Sequence, residues 1–128
     1  MTLKTRVVLI KELPRGTPVS YCRSFTTRRR SRIGVLPVGY ADGYPRILSN
    51  RGEALVRGKS VPIVGKICMD MMMIDVTSVP GIRVGEEVVL IGRQGRGEIR
   101  AEEVARKAGT ISYEIFCRIA ERIRMDFR

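Results

Sequence analysis

A mainly β domain, small and Greek-key or barrel-like with one or two short helices near the C-terminus, is the fold class this sequence predicts. Three observations predict it. Turn signals recur at short intervals: Pro14-Arg15-Gly16, Ala41-Asp42-Gly43, Arg57-Gly58-Lys59, Pro80-Gly81 and the stretch from Gly92 to Gly97. The segments between them are short and rich in β-branched residues, as strands of a sandwich or barrel are. After residue 98 the apolar spacing changes to that of a helix. The length of 128 residues, 44% of them hydrophobic, suits one domain over 1–128 with a core of its own.

In order, the spacing predicts strands over Arg6–Ile10, Val19–Phe25, Arg32–Val38, Ala54–Val56, Val61–Val64, Ile67–Val76 and Glu87–Ile91. In Ile67–Val76, alternation places Cys68, Met72, Ile74 and Val76 on one face and Met69, Met71 and Met73 on the other. Both faces are apolar, which predicts a strand covered on two sides, with the methionines in the core. Beyond it, Ala101, Val104, Ala105 and Ala108 share a helical face. Glu102 and Glu103 open that helix and Arg106 and Lys107 close it, matching the dipole at each end. Gly109 stops it, and Thr110 or Ser112 can cap a second short helix.

Composition narrows the chemistry. Lys and Arg number 24 against 13 Asp and Glu, a net charge of +11. Residues 1–64 carry 13 basic and 3 acidic side chains, whereas 65–128 carry 11 and 10. There is no histidine, so a Ser-His-Asp triad, a Cys-His dyad and His-containing zinc sites are excluded from these residues. Proton transfer falls to Tyr, Asp, Glu, Lys or Cys. Cys22, Cys68 and Cys117 lie far apart, without a C-x-x-C pair, and predict reduced thiols and no metal site. No apolar run reaches the ~18 residues of a membrane span, and the first residues lack a secretory core, so a soluble cytoplasmic protein is expected.

The chemistry-bearing candidates are few. Tyr21, Tyr40, Tyr44 and Tyr113 are the four tyrosines, and Tyr113 stands at a helix start, where a phosphate is favoured. Asp70, in Cys68-Met69-Asp70, is a carboxylate in an apolar segment and needs partners there.

Four longer words carry more. Pro18-Val-Ser-Tyr21-Cys-Arg-Ser-Phe25, Leu36-Pro-Val-Gly-Tyr40-Ala-Asp-Gly-Tyr44, Pro62-Ile-Val-Gly-Lys-Ile-Cys68-Met69-Asp70 and Gly109-Thr-Ile-Ser-Tyr113-Glu follow one another along the chain. Together they resemble the C-terminal domain of bacterial alanine racemases, from about Leu3 to Arg122. The resemblance implies a partner domain, a (β/α)8 barrel that holds pyridoxal 5'-phosphate on a lysine, and a head-to-tail homodimer acting on alanine. It implies Tyr21 as the catalytic tyrosine, Met69 as a holder of the substrate carboxylate through its amide, and Tyr113 as a hydrogen-bond partner of the cofactor phosphate. Tyr40, Arg46, Lys66, Asp70 and Ile111 would line the substrate entrance. Without a barrel the chain alone is expected to be inactive and prone to self-association through its uncovered faces.

The sequence departs from the family pattern in places. Cys22 stands where glycine is usual, Lys66 where arginine is common and Ser112 where asparagine is usual, and residues 118–128 lack the prolines of the family's last strand. The competing reading is a non-catalytic module that binds nucleic acid or another polyanion through Arg23, Arg28, Arg29, Arg30 and Arg32. Aromatic residues make up only 5% of the chain, which leaves few stacking platforms for bases. A solvated strand edge explains the same arginines.

Overall fold

The computed structural model describes residues 2–19 and 25–118. Among these residues are ten strands: β1 (Leu3–Arg6), β2 (Leu9–Leu13), β3 (Pro18–Val19), β4 (Phe25–Thr26), β5 (Ser31–Leu36), β6 (Glu53–Val56), β7 (Lys59–Val64), β8 (Met72–Asp75), β9 (Glu87–Gln94) and β10 (Gly97–Ile99). Two helices follow, α1 (Ala101–Ala108) and α2 (Ser112–Arg118). The domain is therefore mainly β, with its helices where the periodicity changes.

Eight strands form one antiparallel sheet in the order β1-β9-β6-β7-β8-β5-β2, with β10 also on β9. Strands β6, β7 and β8 are consecutive neighbours and β5 lies beside β8, which is a Greek key with the long connection between β5 and β6. The sheet begins with β1 and ends with β2, which follow one another in the chain. Only Val7 and Val8 separate them: Val7 N–H donates to Glu86 O and Val8 N–H to Val35 O. The sheet curls until its ends nearly meet, though β1 and β2 form no ladder with each other. This changes the first predicted strand. Arg6–Ile10 is two strands, because the chain changes partners at Val7.

The inner face holds the main core, including Leu36, Val56, Ile63, Met72, Ile74 and Leu90, all nearly inaccessible to water. A smaller cluster lies apart from it: Val19, Ile33 and Val64, with Leu13, Phe25 and Met73 against them. That cluster seats the hairpin of β3 and β4, where Val19 pairs with Phe25. β8 is thus covered on both sides, as expected. The predicted strand Ile67–Val76 shrinks to Met72–Asp75, however, and Met69 and Met71 are exposed rather than in the core.

Helix α1 matches its prediction in both ends and face: Ala101, Val104 and Ala105 are buried, and Gly109 closes the helix in a left-handed conformation, φ 73°. Ile115 anchors α2, while the Thr110 hydroxyl bonds the Glu114 carboxylate. No helix among the described residues is long and apolar enough to cross a membrane.

Candidate functional site

Two connections leave the same end of the sheet, since Leu36 at the end of β5 pairs with Met72 at the start of β8. One runs over residues 37–52 from β5 to β6, and the other over 65–71 from β7 to β8. Four backbone amides bind them together. Tyr40 N–H donates to Cys68 O and Ala41 N–H to Met69 O, each at 3.0 Å. Gly65 N–H donates to Asn50 Oδ1 at 2.7 Å and Ile67 N–H to Ser49 Oγ at 2.8 Å.

This capture explains why the predicted strand fails over 67–71. Cys68 N–H donates to Met71 O, closing a turn, and the next two carbonyls are held by the 40–41 segment. A ladder would need those groups. Gly39 makes the approach possible: a Cβ there would lie 2.2 Å from Cys68 O and 2.4 Å from Met69 O. The 40–42 turn is a single turn of 3-10 helix closed by Gly43 N–H on Tyr40 O, with Gly39 N–H donating to Asp42 Oδ2 at 3.0 Å.

The geometry has a directional consequence. Every described peptide bond is trans, and a trans peptide points its N–H opposite to its C=O. With the Cys68 and Met69 carbonyls turned to the 40–41 amides, the Met69 and Asp70 amides both point the other way. Successive amides on one side form the concavities that receive anions.

Tyr40, Arg46, Lys66, Met69 and Asp70 line one cavity of about 410 Å³, together with Ile67, Cys68 and Met71. The Arg46 guanidinium lies over the Tyr40 ring, 5.9 Å from its centre. Two cationic side chains against one carboxylate make the cavity attractive to a small carboxylate. Five of the eight predicted site residues therefore meet at one place.

The others do not. Ile111 and Tyr113 lie at the start of α2, 64% and 74% exposed, and are not part of this lining. The Tyr113 side chain stands open on the surface. Tyr21 and Cys22 lie outside the described residues, as does Arg23. Their flanks, Val19 and Phe25, pack with Val64 and Met73, which bracket the 65–71 connection in the chain. Arg28, Arg29 and Arg30 sit in an exposed bend before β5, where Arg30 and Arg32 reach Glu12. These contacts neutralise part of the cluster.

Tyr44 is not a candidate base. Burial and the Glu53 carboxylate push its phenol above the ordinary range, so it stays protonated. Glu53 in turn is held below the usual carboxylate range by hydrogen bonds from Ser60 and Lys107, the latter at 3.1 Å to α1. A lowered pKa gives stability that is present above the unfolded value and lost as pH falls through the folded one. Thermal melts across acid pH should show this loss, and Glu53→Gln should flatten it; equal slopes for both proteins would refute the assignment.

Motif reading alone misses Gly39, Asp42, Ser49 and Asn50. A signal was available for two of them, since Gly39 and Asp42 have the spacing of a capping box, which places a carboxylate three residues after the turn's first amide.

A family described as alanine racemase, C-terminal domain, matches residues 1–127. The alanine racemase of Halothermothrix orenii is 56% identical over the whole chain, which covers 34% of that protein. Alanine racemase 2 of Caldanaerobacter subterraneus is 54% identical over 96% of the chain and 32% of its own length. Among solved structures, alanine racemase from Bacillus anthracis with bound L-Ala-P superposes with a TM-score of 0.89 at 43% identity, covering 95% of this chain and 31% of that one. That from Bartonella henselae, with covalently bound pyridoxal phosphate, gives 0.88 at 37%, covering 94% and 33%. The chain spans about a third of the length of the curated relatives it matches.

Proposed function

Because this chain belongs to the alanine racemase C-terminal domain family, we propose that it supplies half of a pyridoxal phosphate-dependent site that interconverts L- and D-alanine. The observation that carries the reading is the 68–70 backbone, whose outward amides stand on a cavity lined by cationic side chains.

In this reading the Met69 amide donates to the substrate carboxylate, and Arg46 and Lys66 draw that carboxylate in. Lys66 acts as a point charge, without the bidentate fork that arginine would bring. Tyr40, Asp70 and Ile111 border the entrance. Tyr113 donates its hydroxyl to the cofactor phosphate. Pyridoxal phosphate, when bound, supplies an electron sink that eases loss of the Cα proton. Racemisation needs a base on each face of the substrate. The Tyr21 phenol oxygen takes or returns the Cα proton on one face, and a lysine of the barrel domain serves the other. The unperturbed phenol pKa is about 10, so cations must stabilise the phenolate, and the barrel domain is their source. A dimer in which each site receives Tyr21 and Met69 from the other subunit completes the arrangement.

The test is a chimera that carries this chain in place of the matching third of the Halothermothrix orenii alanine racemase. It should bind pyridoxal phosphate and racemise alanine with kcat within about tenfold of that relative. A folded chimera that holds the cofactor but leaves both enantiomers unchanged would overturn the reading.

A further inference from the structure

We propose that Asp42 is a positioning residue for substrate binding, acting through the 39–43 turn to aim the Met69 amide. The inference rests on the racemase reading above and goes beyond the residues that line the cavity. Asp42 is 6% exposed, a buried carboxylate where buried polar side chains are few among the described residues. Its Oδ2 accepts the Gly39 N–H at 3.0 Å, and its own N–H donates to Gly39 O at 3.1 Å. These two bonds set the orientation of the turn. The turn presents the amides of Tyr40 and Ala41, which hold the carbonyls of Cys68 and Met69.

Without the carboxylate, Gly39 N–H loses its acceptor inside the protein and the turn relaxes to find another. The Tyr40 and Ala41 amides move with it. The carbonyls they hold can then rotate, and because each peptide is planar, the Met69 amide rotates by the same angle. Asp42 itself is not in the cavity lining, so its hold on the Gly39 amide reaches the substrate through backbone.

The experiment uses the chimera described above. Asp42→Ala should raise KM for alanine about tenfold while kcat changes by less than about threefold, because the lost contact holds the carboxylate throughout the reaction. Inhibition by propionate, which keeps the carboxylate and lacks the amine, should weaken by the same factor of about ten. Asp42→Asn keeps an oxygen that Gly39 N–H can reach and should recover most of the affinity. A merely structural role would lower the melting temperature and the active fraction without moving KM or the propionate constant. Should Asp42→Ala fail to fold, Asp42→Ser, too short to reach Gly39 N–H, carries the same readout. Unchanged KM and propionate inhibition in an active parent overturn the positioning role alone. An inactive parent chimera overturns the racemase reading and this role with it.

Discussion

Tyr21→Phe in the chimera is expected to lower kcat by about a thousandfold, the scale of a lost general acid-base group. The substitution removes one oxygen and keeps the ring, so folding and cofactor content should be unchanged. The loss should also be one-sided. Exchange of the Cα proton with solvent deuterium should survive for one alanine enantiomer and vanish for the other, since the opposing base remains. Equal exchange from both enantiomers would remove Tyr21 from the role. Its flanks support the assignment: Val19 and Phe25 are paired, and they pack on the residues that bracket the Met69 connection. Cys22 beside it, where the family pattern has glycine, can be tested in the same assay by Cys22→Gly.

Gly39→Ala should cost the domain both stability and substrate affinity. Its φ of −143° is ordinary extended backbone, so conformational preference is not the reason. The obstacle is space, because the added carbon would meet Cys68 O at 2.2 Å, Met69 O at 2.4 Å and Met69 C at 2.5 Å. These are backbone atoms tied by the Tyr40 and Ala41 amides, and they cannot yield as a flexible side chain would. Overpacking of this kind costs about 3 kcal/mol, and here it also turns the Met69 peptide, so substrate affinity should fall with stability. Gly109→Ala is the control. At φ 73° with no atom within 4 Å, it meets only the left-handed penalty of about 1 kcal/mol and should leave KM unchanged. Urea unfolding and alanine kinetics on both chimeras separate the two effects. Equal stability losses would show that the close approach at Gly39 has slack.

Much of the fold is legible in the residues themselves. Ala54–Val56, Val61–Val64 and Glu87–Ile91 form strands within a few residues of their predicted limits. Helix α1 carries its stop, its face and its charge order in its own sequence. The failures lie where distant groups decide the outcome. Ile67 to Met71 alternates like a strand, yet Tyr40 and Ala41 take its carbonyls and Met71 O takes the Cys68 amide. Val7 and Val8 read as one strand's middle, yet their amides serve opposite ends of the sheet. Of the candidate site, every proposed residue but Arg46 stands in the family's words. Gly39 and Asp42 stand in the same words, but their purpose depends on a loop some thirty residues onward and emerges only in three dimensions.

The curling of the sheet has a kinetic side. Leu3 pairs with Ile91 and Leu9 with Val35, so one short stretch of chain closes both a very long loop and a modest one. Long loops close late, because their entropy is lost before any contact repays it. During synthesis from the N-terminus, β2 can find β5 well before β1 has β9 to pair with. The Val7–Val8 step then marks a boundary in time as well as in direction: the half-built domain waits with its first strand unpaired, a sticky edge that only the ninth strand covers.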